Sequence, residues 1–253
     1  MGLFVGTYRG FDASYAYHQY AYVSDGNVFQ ALAAPPHAQD YGATSPVGIN
    51  NLGAVSGSYF DDSGNGHGFI YSGGSYTVLD HPALAGPFGS VWNTAAGGNN
   101  DAGAVAGCFS TADASGQSSY GYVYSGGSYT DLSVAGQRAT CAEDINNSGV
   151  VVGEYLDNTG PWGNHHGFVY DHGNYALLDD SAFPGGSVDT YLTGINDKGQ
   201  ITGYYYDADF NAWSFVATPS DAPGHLPEPA GLALPGLALA ALVTRSTRTR
   251  RRR

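Results

Sequence analysis

Lysine and methionine occur once each in this chain of 253 residues, as Lys198 and Met1, and cysteine occurs twice, as Cys108 and Cys141. Before position 227 there are only three basic side chains, Arg9, Arg138 and Lys198, against 21 acidic ones, a net of −18 (3 − 21). A body so poor in positive charge repels phosphate backbones, which excludes nucleic acid as a partner. Two cysteines cannot form the dense framework of a small disulfide-stapled domain; in an exported protein an even pair fits either one bridge, Cys108–Cys141, or two buried free thiols. The longest charge-free apolar stretch is Ala230–Val243. It falls short of the roughly 20 residues that span a bilayer. The Gly-x-Ser-x-Gly elbow, the phosphate loop and the His-Glu-x-x-His helix are all missing, which removes the common sequence signatures of hydrolases, nucleotide enzymes and metalloproteases. Glutamate is also scarce, at Glu143, Glu154 and Glu228.

What the chain does have is glycine, aromatic rings and repetition. Aromatics make up 13% of the residues, 20 of them Tyr. That supplies a core and favours strands, so the fold class is all-β. The segment "INNLGAVSGSYF" (49–60) returns as "NNDAGAVAGCFS" (99–110), "INNSGVVVGEYL" (145–156) and "INDKGQITGYYY" (195–206), with a shortened copy "GLFVGTY" at 2–8. A second block follows each time, clearest as "HGFIYSGGSYTVLD" (67–80), "YGYVYSGGSYTDLS" (120–133) and "HGFVYDHGNYALLD" (166–179). Asn-x-x-Gly, as in Asn50 to Gly53, Asn146 to Gly149 and Asn196 to Gly199, has the chemistry of a tight turn. Six residues past the first glycine there is always an aromatic: Tyr8, Tyr59, Phe109, Tyr155 or Tyr205. In the second block Phe168 and Tyr170 share one strand face while Val169 occupies the other, so this strand is buried on both sides.

A period near 50 residues with about four short strands per unit fits one blade of a β-propeller; a β-solenoid is the alternative. The expected architecture is a repeat domain over 1–219, with units near 2–48, 49–98, 99–144, 145–194 and 195–219, the first and last incomplete. A linker at 220–226 and a tail at 227–253 follow. The shortened first copy, and the lack of a secretory leader in "MGLFVGTYRG", imply residues upstream of Met1.

No residue set stands out as catalytic. His67 and His166 occupy a slot held in other repeats by Tyr20, Tyr120 and Trp213, which assigns them to packing rather than to metal ligation. Asp61, Asp62 and Asp157 are the candidate Ca²⁺ ligands, but their spacing departs from the Asp-x-Asp-x-Asp-Gly loop and equally fits hairpin turns capped by side chains. Trp162 is a candidate sugar contact.

The tail begins "PEP" at Pro227, Glu228 and Pro229, continues as an apolar helix over 230–243 containing Pro235, and ends in Arg245, Arg248, Arg250, Arg251, Arg252 and Arg253. By the positive-inside rule the arginines stay cytoplasmic while the acidic body lies on the far side. This tail resembles the PEP-CTERM sorting signal of Gram-negative bacteria, and the body resembles HAF-type extracellular repeats, with 48–80 the clearest copy. The first resemblance implies recognition of Pro227, Glu228 and Pro229 by an exosortase-type membrane enzyme, transient insertion in the inner membrane, and release to the cell surface or biofilm matrix. The second implies secretion and carries no agreed activity. The expectation is therefore a non-enzymatic structural or adhesive protein without a cofactor, contacting exopolysaccharide. The rival is an extracellular polysaccharide hydrolase or lyase with carboxylates converging in the propeller channel.

Overall fold

The computed structural model describes residues 2–11, 17–35, 38, 44–82, 93–113, 116–159, 163–178, 188–220 and 238–242. Trp162, Pro227, Glu228, Pro229 and the tail arginines lie outside this set. Among the described residues every regular element is a strand. β1 (Phe4–Phe11), β2 (Tyr17–Ser24) and β3 (Phe29–Ala31) form a three-stranded sheet. The second blade is β4 (Ser45–Ile49), β5 (Val55–Phe60), β6 (Gly66–Ser72) and β7 (Ser75–Leu79). The third is β8 (Asn93–Asn99), β9 (Val105–Asp113), β10 (Gly116–Ser125) and β11 (Ser128–Leu132). The fourth is β12 (Ala139–Ile145), β13 (Val151–Leu156), β14 (His165–Asp171) and β15 (Asn174–Leu178). The fifth is β16 (Asp189–Ile195), β17 (Ile201–Tyr206), β18 (Ala212–Ser220) and β19 (Ala238–Leu242).

Each of these four blades is an antiparallel meander, and one parallel pair, Gly66 with Asn93, links the second to the third. The sheets begin one strand earlier than the repeat boundaries read from sequence, because the strand before each Asn-x-x-Gly turn pairs with the strand after it. Consecutive blades pack face to face, and their first strands, β4, β8, β12 and β16, touch in chain order, as strands around a common axis must. The strand expected to be buried on both sides is so. In β14, Phe168 packs with Ala104, Ala106 and Leu132 of the third blade, while Val169 packs with Leu192, Ile201 and Phe215 of the fifth.

The tail gives a correction. Within the helix expected over 230–243, Ala238–Leu242 is a strand, paired antiparallel with β18 from Val216↔Leu242 to Ser220↔Ala238. The rest of that segment is outside the described residues, and among the described residues no helix is long and apolar enough to cross a membrane. The physical reason is the edge of β18: its row of backbone donors and acceptors is satisfied by an extended neighbour and by nothing a helix offers. The fifth blade therefore has an outer strand that sequence periodicity alone did not supply.

The turns join the blades. Gly53, Gly103, Gly149 and Gly199 take φ of 79°, 79°, 81° and 71°, a region that L side chains avoid. In each turn the preceding Asn curls its side-chain oxygen onto the chain's own amides, Asn146 Oδ1 accepting from Ser148 and Val150 N–H at 3.0 Å each. The remaining side-chain amide then reaches the next blade. Asn50 Nδ2 donates to the Asn100 carbonyl at 2.8 Å, Asn100 Nδ2 to Asn146 at 3.0 Å, and Asn146 Nδ2 to Asn196 at 3.2 Å. Among the described residues no further turn follows Asn196, and its amide bends back to Gln200 Oε1 at 2.9 Å. A parallel row uses the next residue, which alternates amide and carboxylate: Asn51, Asp101, Asn147, Asp197. Asn147 Nδ2 donates to both Asp101 and Asp197 at 2.9 Å.

Cys108 and Cys141 are joined, with Cα atoms 4.9 Å apart, so the disulfide staples the third blade to the fourth. Closing a loop of 33 residues contributes roughly 3–4 kcal/mol in the chain-entropy model. Because Asn50, Asn100 and Asn146 are buried and Asn196 is exposed, their removal has unequal effects. Asn100→Ala leaves the buried Ala104 amide without its acceptor and takes one of two donors from the Asn146 carbonyl, with an expected loss of about 1–3 kcal/mol, whereas Asn196→Ala loses under about 1 kcal/mol. Urea denaturation of the two variants measures the difference.

Candidate functional site

Two columns of side chains noticed separately in the sequence form cross-strand pairs in every blade. Tyr8 lies opposite Tyr20, Tyr59 opposite His67, Phe109 opposite Tyr120, Tyr155 opposite His166, and Tyr205 opposite Trp213. The pairs Tyr59–His67 and Tyr155–His166 stack with ring centroids 5.0 and 5.1 Å apart. In three blades an Asp at the hairpin corner completes the unit. His67 Nε2 meets Asp61 at 3.3 Å, His166 Nε2 meets Asp157 at 3.1 Å, and Trp213 Nε1 donates to Asp207 at 2.8 Å.

The same aspartates cap their turns. Asp61 Oδ1 accepts from Ser63 and Asn65 N–H at 2.8 Å each, and Asp157 Oδ1 from Thr159 N–H at 3.0 Å and Asn164 N–H at 2.8 Å. The Asn65 side chain and amide, helped by His67 and Ser63, hold the Asp61 carboxyl well below its ordinary range against the cost of its desolvation. Burial works against the Asp157 carboxylate, but the donors of Asn164, Thr159 and His166 outweigh it and lower its pKa too. Two of the three candidate Ca²⁺ ligands, Asp61 and Asp157, thus accept from turn donors, and the third, Asp62, is exposed. Among the described residues no group of three or more His, Cys, Asp and Glu is arranged to hold a metal ion.

A different constellation lies where the fourth blade meets the fifth. It is built from Glu143 and Asp144 on β12, Glu154 on β13, His165 on β14, Asp189 and Tyr191 on β16, and Tyr204 on β17. The His165 ring stacks on Tyr191 at 4.9 Å, and Tyr191 on Tyr204 at 4.7 Å with the planes 14° apart, so three rings make one stack with Tyr191 in the middle. His165 N–H donates to Asp189 Oδ1 at 2.8 Å, and its Nδ1 faces Glu154 Oε1 at 3.5 Å. Asp144 accepts from Ile195 N–H of the next blade at 2.8 Å and from Ile145 N–H at 2.9 Å.

The electrostatics follow from crowding acids at a half-buried seam. Burial, then the charges of Glu154 and Asp144, push Glu143 up to about 7. Asp144 is also raised by burial, against the pull of its two amide donors. The Glu154 carboxylate raises the pKa of His165 against the opposing effect of burial. Tyr191 is raised by burial, then by Asp189 and Glu154. The site is a stack of rings beside a cluster of acidic side chains, of which Glu143 is held near neutrality. Such a surface suits hydroxyl-rich or cationic groups and repels polyanions.

A signal for this constellation is present in the sequence. With the repeats aligned on their turn Asn, Asp144 stands where the other blades have Gly48, Gly98 and Gly194, and Glu143 where they have Val47, Gly97 and Thr193. Glu154 stands in the column of Ser58, Cys108 and Tyr204, and Tyr191 in that of Ser45, Ala95 and Cys141. Departures from the repeat, rather than the repeat itself, mark the site. The same columns provide the disulfide at the preceding interface and, one interface earlier, a hydrogen bond from Ala96 N–H to Ser58 Oγ at 3.1 Å.

A carboxyl raised in the folded state binds its proton more tightly there than in the unfolded chain, so its contribution to stability is complete at low pH. That contribution is lost as pH rises from the ordinary 4.5 through about 7. Glu143→Gln removes this slope: its urea midpoint exceeds that of the parent at pH 7.5 and the two converge below pH 4.5. Parallel curves across that window contradict the assignment.

No family model and no curated protein matches the chain. Among solved structures it is similar to TolB from Acinetobacter baumannii, with a TM-score of 0.55 at 13% identity. That match covers 86% of this chain and 50% of TolB, so the chain spans about half the length of that protein. The β-propeller domain of the Trilobed protease from Pyrococcus furiosus gives a TM-score of 0.43 at 10% identity, covering 85% and 78% of the two chains. Aleuria aurantia lectin gives 0.43 at 10%, covering 96% and 77%. At these identities the likeness is one of fold alone, and the fold is a β-propeller.

Proposed function

We propose that this is an exported, non-enzymatic β-propeller protein of the cell surface or matrix that contacts exopolysaccharide. In this reading the ring stack His165–Tyr191–Tyr204 is the contact surface. The tail acts as a sorting signal, with Pro227, Glu228 and Pro229 read by an exosortase-type enzyme while Arg245, Arg248 and Arg250 to Arg253 hold the far end in the cytoplasm. The observation that carries it is the stack itself: three half-buried rings flanked by Glu154 and Asp189. Sugar C–H groups pack against the outer faces and edges of such a ring stack, and hydroxyls donate to such carboxylates. The charge of the body favours a neutral or amine-bearing polysaccharide over a uronic-acid polymer. The disulfide accords with an oxidising compartment.

Glu143 favours a second reading. An acid held near neutrality, Glu143, beside a second carboxyl group, Glu154, is the kind of pair that glycoside hydrolysis uses. One set of variants separates the two readings. Tyr191→Ala is expected to weaken binding to neutral or partly deacetylated polysaccharide about fivefold, roughly 1 kcal/mol, while the fold is kept. Tyr8→Ala, in the first blade, leaves binding unchanged. Reducing ends released by the parent protein and abolished by Glu143→Gln would replace the first reading with the second; unchanged binding in Tyr191→Ala would remove the stack from either.

A further inference from the structure

The outer strands of the second, third and fourth blades are fastened in two ways that the fifth lacks. First, each follows its neighbour through a two-residue turn, Gly73-Gly74, Gly126-Gly127 or His172-Gly173, every one of these residues at positive φ. β19 follows β18 only after the 17 residues from 221 to 237. A two-residue turn fixes which strand pairs with which; a connection of that length leaves the partner open. Second, each outer strand of the middle blades carries a tyrosine that packs on the blade's central ring: Tyr76 on Phe69 at 5.3 Å, Tyr129 on Tyr122 at 5.3 Å, and Tyr175 on Phe168 at 5.7 Å. In the fifth blade the central ring is Phe215, and β19 reads Ala-Leu-Ala-Ala-Leu, with no ring to offer. What defines the β18–β19 pair is the backbone ladder, and its register includes Pro219, which has no N–H to give.

A ladder made by the backbone is the same whichever copy supplies the strand. We propose that the outer edge of β18 is a strand-acceptor site, and that its occupant in solution includes Ala238–Leu242 of a second copy, exchanged for the chain's own β19. The exchanged interface needs no complementarity beyond that already formed within one chain, because every paired atom is identical. The length of the connection supplies the reach, and the missing tyrosine supplies the ease of release. The proposal goes beyond the reading of the tail as a sorting signal, and it concerns the chain while residues 238–242 are still attached.

In-register crosslinking tests it on the full chain. The two native cysteines are bonded to each other, so an added thiol is the sole reactive one. Val216→Cys and Leu242→Cys are made in separate preparations, and the register places these two positions opposite each other. Mixed and gently oxidised, they are expected to give a covalent heterodimer whose yield rises with protein concentration. Pairing Leu242→Cys with Ser214→Cys, beyond the end of the ladder, gives only background. Replacing residues 221–237 by Ser-Gly-Gly-Ser, the turn of the second and third blades, locks the strand at home and abolishes the heterodimer. Three results overturn the proposal. One is a doubly substituted Val216→Cys/Leu242→Cys chain that bonds only within itself at every concentration while the mixture gives no heterodimer. The second is equal yields from the in-register and out-of-register mixtures, which would mean unspecific tail association. The third is a heterodimer that persists in the tight-turn variant.

Discussion

The side-chain amide of a turn asparagine, passed from each blade to the next, is the contact on which the rest of this structure depends. A blade cannot bury both faces by itself, and the apolar clusters between blades are non-directional: they favour contact without fixing how far one sheet is rotated on the next. The hydrogen bonds from Asn50 to Asn100, from Asn100 to Asn146 and from Asn146 to Asn196 fix that angle at the inner corner of each blade. They do so with a residue whose oxygen is already spent on its own turn, so that the fold of the turn and the placement of the next blade become one event. The neighbouring row of alternating amide and carboxylate, Asn51, Asp101, Asn147 and Asp197, adds charge-assisted bonds at the surface without ever setting two carboxylates side by side.

With the geometry fixed this way, equivalent positions at successive interfaces are free to differ, and they do. The place that holds a serine hydroxyl between the second and third blades holds a disulfide between the third and fourth, and a glutamate facing stacked tyrosines between the fourth and fifth. Covalent reinforcement lies one interface away from the acidic seam. A seam crowded with Glu143, Asp144, Glu154 and Asp189 repels itself at neutral pH. It tolerates that because Asp144 is tied to the next blade's backbone, because Glu143 keeps part of its proton, and because the disulfide steadies β12 from the other side. The architecture provides rigidity by repetition and concentrates chemistry where the repetition fails.

The same division explains what the sequence made legible. Glycine at positive φ, asparagine at the turn and rings at period two act locally, so repeat number, strand content, the propeller class and the two-faced burial of β14 could all be read from one copy and checked against the next. The pairing of Tyr59 with His67 and of Tyr155 with His166 was visible only as two separate columns, since cross-strand neighbours depend on register. The Asn-to-Asn bonds were hidden for the same reason, although every participating residue was in plain view. The seam at Glu143 and Tyr191 escaped because comparison of repeats rewards what recurs. The tail misled for a different cause: an apolar run judged by itself reads as a helix, whereas Ala238–Leu242 lies beside a strand edge that leaves it a better use for its backbone.

The central claim is that side-chain amides, rather than apolar contact alone, set the blades in place. Exchange of the Asn Nδ2 hydrogens with solvent, followed by NMR on the folded protein, tests it directly. The account predicts that Asn50, Asn100 and Asn146 retain their side-chain amide hydrogens far longer than Asn196, which is exposed and whose amide bonds to Gln200. If all four exchange at the rate of free asparagine, the blades are held by burial alone and the account is wrong.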